Sequence, residues 1–295
     1  MMFDPVRYDA PLFRPPAEAH SVIVQPTIGC SWNRCAFCEM YTSKKFRVRD
    51  PATVLAEIRT LAQYYPGARK VFLADGNAMV LSYERLMVLL QEIQSSFPKL
   101  QRVSAYAMPR EIMAKTDTEL RNLRSQGLRL LYIGIETGDD ELLTLVDKGE
   151  TAASTVEGIL KAHAAGIDTS VMIINGLGGE TFSRQHALAS AALVSKVNPK
   201  FLSTLTLSLP FGVGHYEKRF GRAYQQQTLL SLFKELYLFL ENLTVDGVIF
   251  RSNHVSNNLP LQGTLPKEQE KVLELLRHAI HHTPPDRYPI TSDIL

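Results

Sequence analysis

Short apolar runs alternate with longer amphipathic segments along most of this chain, and that rhythm restricts the possible folds more than any other feature. The runs fall at residues 22–24, 71–73, 103–106, 130–135, 170–174, 201–207 and 248–251 and are rich in Val, Ile, Leu and Phe. Strands covered on both faces read this way, as in parallel sheets, whereas a strand with one wet face alternates apolar and polar residues. The segments between them carry helix signals. Asp50 suits a cap and Pro51 a first helical position, and Val54, Leu55, Ile58, Leu61 and Ala62 share one face until Pro66-Gly67. Further helices are predicted from Ser82 to Phe97, from Thr116 or Asp117 to Gly127, after Asp139-Asp140, after Thr151 to Gly166, and from Thr181 to Pro199.

Strand and helix alternating so regularly predict an α/β fold, a partial (β/α)6 TIM-like barrel of parallel strands. A seventh strand and helices over 228–243 and 267–282 are expected as C-terminal additions. We expect one domain, in which 1–20 is an N-terminal extension, 21–210 the barrel core and 211–295 its completion. A chain of 295 residues with 45% hydrophobic content can bury one core of that size.

All three cysteines, Cys30, Cys35 and Cys38, lie within nine positions directly after the first predicted strand, at the end of a barrel where chemistry gathers. Three thiolates on one loop point to a metal centre. A [4Fe-4S] cube and a structural zinc ion would each need a fourth ligand from elsewhere. The spacing of four residues and then two also opens the motif of plant-type [2Fe-2S] ferredoxins, which need a further cysteine that this sequence lacks. A non-catalytic iron-sulfur or zinc-binding protein on an α/β scaffold is thus the alternative to an enzyme.

An odd, clustered cysteine count argues against a disulfide framework and for a reducing, cytoplasmic setting. The first 21 residues carry Pro5, Pro11, Pro15 and Pro16 and no signal-like apolar core, and no apolar run approaches the ~18 residues of a membrane span. The 32 Lys+Arg against 30 Asp+Glu leave a formal charge of +2, too balanced for a dedicated nucleic-acid module.

Four stretches, in order, resemble the radical S-adenosylmethionine (radical SAM) superfamily. They are the cysteine loop with Phe37 before its last cysteine, the turn Asp75-Gly76-Asn77, the segment from Gly134 through Glu136 and Leu143 to Lys148-Gly149, and Gly176-Leu177-Gly178-Gly179-Glu180-Thr181. The third is similar to the branch that contains anaerobic coproporphyrinogen dehydrogenases and Elongator-type enzymes. The loop between Cys30 and Cys35 is one residue longer than the superfamily's usual spacing, Met40 stands where the coproporphyrinogen enzymes have a further cysteine, and the turn Pro210-Phe211-Gly212 departs from that branch's pattern.

The resemblance implies an enzyme in which Cys30, Cys35 and Cys38 hold three irons of a [4Fe-4S] cluster while S-adenosylmethionine chelates the fourth. Reductive cleavage would give methionine and a 5′-deoxyadenosyl radical that takes a hydrogen atom from substrate. It implies cofactor contacts for Phe37, for Asp75, Gly76 and Asn77 at the methionine end, for Glu136 at the ribose hydroxyls, for Lys148 at the carboxylate, and for Asn175, Gly176 and Leu177 near the adenine. Tyr106, at the end of the third strand, would face cofactor or substrate or pack in the core. Arg251, Asn253, His254 and Asn257 after the last strand are candidate substrate contacts, because hydrogen-bonding side chains are dense there. The substrate is unidentified, with a small molecule favoured. The expected partner is a low-potential electron donor such as flavodoxin or ferredoxin, steered by the cationic run 44–49.

Overall fold

The computed structural model describes residues 5–289. Its first elements are β1 (Val22–Val24), the short pair β2 (Thr27–Ile28) and β3 (Arg47–Val48), α1 (Pro51–Tyr64), β4 (Lys70–Leu73), α2 (Tyr83–Ser96) and β5 (Arg102–Tyr106). There follow α3 (Pro109–Met113), α4 (Asp117–Ser125), β6 (Leu128–Glu136), α5 (Asp140–Leu145), α6 (Ala152–Ala164), β7 (Asp168–Asn175) and α7 (Gly179–Val197). The last are β8 (Phe201–Thr206), α8 (Val213–Phe220), α9 (Leu229–Glu241), β9 (Val248–Ser252), β10 (Leu261–Leu265) and α10 (Gln269–His282).

Eight strands follow the order β1-β4-β5-β6-β7-β8-β9-β10, while β2 and β3 form a separate small pair. The pairs β1–β4, β4–β5, β5–β6, β7–β8 and β8–β9 are parallel. The fold is therefore the α/β, largely parallel arrangement that the apolar runs predict. All seven anticipated strands form. By contrast, β10 runs antiparallel to β9. No described helix is long and apolar enough to cross a membrane.

Capping chemistry sets the helix starts. Asp50 accepts the Thr53 N–H at the head of α1, Ser82 that of Arg85 at α2, and Thr116 that of Glu119 at α4; each cap satisfies one of the amides a helix leaves bare at its start.

The chain gathers into two compact units. The first holds the described residues up to Asn33, with Cys38–Ile133 and Glu157–Thr169; the second holds Arg34–Phe37, Gly134–Val156 and the described residues from Ser170. In the first, the fully buried strand residues Val71, Phe72, Leu73, Val103 and Ala105 are matched by Ile58 of α1, Leu86 and Leu90 of α2, and Leu120 and Leu123 of α4. Its N-terminal segment is tied down by a buried carboxylate: Glu18 accepts from Arg102 Nη2 at 2.6 Å, from Tyr132 Oη at 2.6 Å and from Ser21. In the second, α9 packs on α7 and α10, and Val171, Ile173, Leu202 and Phe250 bury the strand faces.

Candidate functional site

Within the first unit the chemistry centres on the turn after β4. Gly76 lies so close to the cysteine loop that a Cβ there would sit 2.7 Å from Cys30 Cβ, and its N–H donates to Gly29 O at 3.2 Å. Asp75 is fully buried. Its Oδ2 accepts from Lys44 Nζ at 2.6 Å and from the Gly29 N–H at 3.1 Å, while Oδ1 is buried without a partner. Asn77 accepts the Ser31 N–H at 2.9 Å, donates to Ser31 Oγ at 2.6 Å and also donates to Glu111. The side chains of Asp75 and Asn77 thus hold the loop beside Cys30, and the Asp75 and Gly76 amides brace it further by donating to Thr27 Oγ1 and Gly29 O.

Burial, then the Asp75 carboxylate and Cys38, push the Tyr106 hydroxyl pKa up, so the phenol stays a donor. Tyr106 also packs edge-on against Phe72 and Tyr132, at 5.2 and 6.1 Å between centroids. The Glu111 carboxyl, buried under Asn77, is raised to about 7 by desolvation.

Within the second unit, Glu136 ends β6 in the left-handed region, at φ +66°, where a side chain other than glycine costs on the order of 1 kcal/mol. Its carboxylate lies over Gly134, where a Cβ would meet Oε1 at 1.9 Å. Lys148 Nζ donates to that Oε1 at 2.8 Å and stands 5.8 Å from the Phe37 ring centre. Glu136 Oε2 is buried with no partner. A bare acceptor in a cradle that only glycine permits is what a hydroxyl-bearing ligand would complete.

The short piece that carries Cys35 and Phe37 is fixed locally. Arg219 Nη2 donates to Cys35 O at 2.7 Å, the Ala36 N–H to Val146 O at 2.8 Å, and Arg34 pairs with Asp147 at 2.9 Å. After β7, the Gly176 N–H donates to Glu235 Oε1 at 2.7 Å, Tyr224 Oη donates to Gly176 O at 2.7 Å, and Tyr216 Oη donates to Leu177 O at 2.7 Å. Asn175 and Gly176 line a small pocket with Thr206, Leu209 and Gln227. Cys30 and Cys38 belong to the first unit and Cys35 to the second; all three thiols are outside disulfides and partly exposed.

Other expectations land differently. Of the run 44–49, Lys44 is buried against Asp75 and Arg49 pairs with Glu57 at 2.6 Å, while Arg47 pairs with Asp9 at 2.8 Å at the exposed surface. Asn257 braces the chain: its Nδ2 donates to Thr204 O at 2.8 Å and to Ser252 Oγ at 3.0 Å. His254 Nδ1 accepts the Ser256 N–H at 3.1 Å. Arg251 and Asn253 are exposed. Sequence reasoning missed Glu111, His186 and Glu235. The available signal for Glu235 was an acid among Leu232, Leu236 and Phe239 on the apolar face of a helix.

Together these features describe a (β/α) enzyme scaffold with a three-thiol loop after its first strand, braced by the turn after its second long one. The Radical SAM superfamily profile matches residues 24–191, more than half of the chain, and the chain belongs to that superfamily. It is an enzyme of the radical SAM class, whose cofactors are a [4Fe-4S] cluster and S-adenosylmethionine. A comparison with curated proteins finds no match.

Similar solved structures include coproporphyrinogen III oxidase (HemN) from Escherichia coli, a radical SAM enzyme, at 20% identity and TM-score 0.58, covering 75% of this chain and 52% of that one. The radical S-adenosylmethionine methyltransferase TsrM from Kitasatospora setae, with cobalamin and a [4Fe-4S] cluster bound, gives 22% and 0.52, covering 65% and 38%. Methylornithine synthase (PylB) gives 14% and 0.52, covering 92% and 82%. At such identities the likeness is one of fold, and the chain spans only about half of HemN and less of TsrM.

Proposed function

We propose that Cys30, Cys35 and Cys38 ligate a [4Fe-4S] cluster with one iron left for S-adenosylmethionine, and that the enzyme abstracts hydrogen from a small-molecule substrate. The observation that carries this reading is the turn Asp75-Gly76-Asn77, which clamps the loop beside Cys30 in a sequence that offers no fourth cysteine. When bound, the cluster and its sulfonium partner supply reductive cleavage and a 5′-deoxyadenosyl radical. The chain's own part is placement. Asp75 and Asn77 orient the loop, Glu136 Oε2 is the acceptor for ribose hydroxyls, and Lys148 sets positive charge beside it. Asn175, Gly176 and Leu177 place the turn near the adenine, their own backbone groups being held by Glu235, Tyr224, Tyr216 and Leu207.

The motif running from Gly134 to Gly149 supports kinship with the coproporphyrinogen and Elongator-type branch. The reductant is an acidic carrier such as flavodoxin or ferredoxin; with Lys44 and Arg49 engaged inside the fold, the exposed Lys45 and Arg47 are what remain of the 44–49 run to meet it. Anaerobic reconstitution followed by dithionite and S-adenosylmethionine tests the proposal, with 5′-deoxyadenosine as the expected product. A centre whose spectra ignore added S-adenosylmethionine, with no nucleoside formed, overturns it.

A further inference from the structure

Most of the hydrogen-bonding side chains around the end of β9 are spent within the chain. Asn257 Nδ2 donates to Thr204 O at 2.8 Å and to Ser252 Oγ at 3.0 Å, the Thr206 N–H donates to Ser256 Oγ at 3.3 Å, and His254 Nδ1 accepts the Ser256 N–H at 3.1 Å. Arg251 is different. It is exposed, and its side chain makes no hydrogen bond or ion pair among the described residues.

The strand register fixes the face that Arg251 occupies. In β10, Gly263 meets the helix layer, since a Cβ there would lie 3.3 Å from Val272 of α10. Gly263 pairs with Phe250, Phe250 with Leu202 and Leu202 with Val171, and these three side chains are buried to 1% exposure or less. Side chains alternate along a strand, so Arg251 stands on the opposite face, in one row with Met172, Ser203 and Gln262. Met172, Ser203 and the neighbouring Ile249 are partly exposed, and Gln262 is exposed. Of the residues paired on this face across β7, β8, β9 and β10, Arg251 alone is charged. The side chains of Ser203 and Gln262 likewise make no hydrogen bond among the described residues.

A guanidinium thus lies between a hydroxyl and an amide, with thioether and aliphatic surface beside it and no acid paired across the strands. Its planar fork matches a carboxylate or a phosphate through two parallel hydrogen bonds, and the flanking hydroxyl and amide can donate to the remaining oxygens. We propose that Arg251, flanked by Ser203 and Gln262, anchors an anionic oxygen group, carboxylate or phosphate, of the small-molecule substrate. Met172, in the same row, stands three residues before Asn175 on β7, which at a strand's rise is about 10 Å. A compound held there can extend toward the C-terminal ends of the strands, where the chemistry of such folds gathers. That the anion belongs to the substrate rests on the radical SAM reading; the anion site itself does not.

Ligand-observed NMR on the reconstituted protein tests the site with two matched pairs, butyrate against butyramide and butyl phosphate against butanol. At least one anion should bind in the millimolar range and about tenfold more tightly than its neutral counterpart, and the tighter of the two anions names the oxoacid. Arg251→Gln should erase that preference without moving the unfolding midpoint, because the side chain is exposed and makes no contact to lose. Arg251→Lys should keep part of it, as a point charge without the fork. Neither anion bound, neutral compounds bound equally well, or a preference that survives Arg251→Gln overturns the proposal. A preference lost together with a lowered midpoint, and not restored in part by Arg251→Lys, marks a structural residue and overturns it as well. Binding of these compounds needs neither an electron nor S-adenosylmethionine, so the outcome is independent of 5′-deoxyadenosine formation, whose absence would refute the radical SAM reading instead.

Discussion

Lys44 and Lys45 are neighbours in sequence and opposites in the fold. Lys44 Nζ is sealed against Asp75 at 2.6 Å and also donates to Asp9 O at 2.7 Å, whereas Lys45 is exposed. Removing one partner of a buried pair strands the other charge, so Lys44→Met should cost about 3–5 kcal/mol in denaturant unfolding. Lys45→Met should stay within about 0.5 kcal/mol; equal effects would refute the buried-pair account. The cysteine cluster stood out in the sequence because the chain has no other thiols. The role of Lys44 was not, since its partner lies 31 positions away and a charge run read along the sequence shows only its near neighbours. Glu111 was hidden for the same reason, its partner Asn77 being 34 positions distant.

At the scale of elements, the turn after β4 makes the sharpest prediction. A methyl group at Gly76 would fall 2.7 Å from Cys30 Cβ and 3.0 Å from Gly29 O, so either the loop or the turn must shift. Gly76→Ala should fold but retain markedly less iron after reconstitution, measured as iron per chain. Iron content equal to the parent's would show that the close approach is unimportant. By contrast, Asp50→Ala removes only the α1 cap and should lower stability by about 1 kcal/mol with iron content unchanged. The long elements were readable because continuous apolar runs and caps coincide in them. Besides the two-residue strands β2 and β3, the elements missed include α3, α8 and β10. The first is a five-residue helix begun by Pro109, and the second follows the exposed turn at Phe211. In β10, Gln262 and Gly263 interrupt the apolar pattern, as one-sided edge strands do.

For the molecule as a whole, buried titratable groups couple stability to pH. Glu111 holds its proton up to about 7 in the folded protein, while the unfolded chain releases it near 4.5. Its contribution therefore declines as pH rises across that window. His186 acts in the opposite sense: the unfolded ring takes a proton near 6.5 and the folded ring only near 4, so stability is lost as pH falls between those values. Denaturation midpoints of the parent and Glu111→Gln should accordingly diverge in the variant's favour from about pH 4.5 to about 7; a constant gap would mean that the carboxyl titrates normally.

The reversed last strand has a practical corollary. Because β10 returns alongside β9, the stretch joining them is a hairpin connection pinned at both ends by paired backbone, with Asn257 and Ser256 as its internal struts. Asn253 and Val255, both exposed, can then be varied without unpicking the ladder, whereas His254, which accepts the Ser256 N–H, belongs to the frame of the arc.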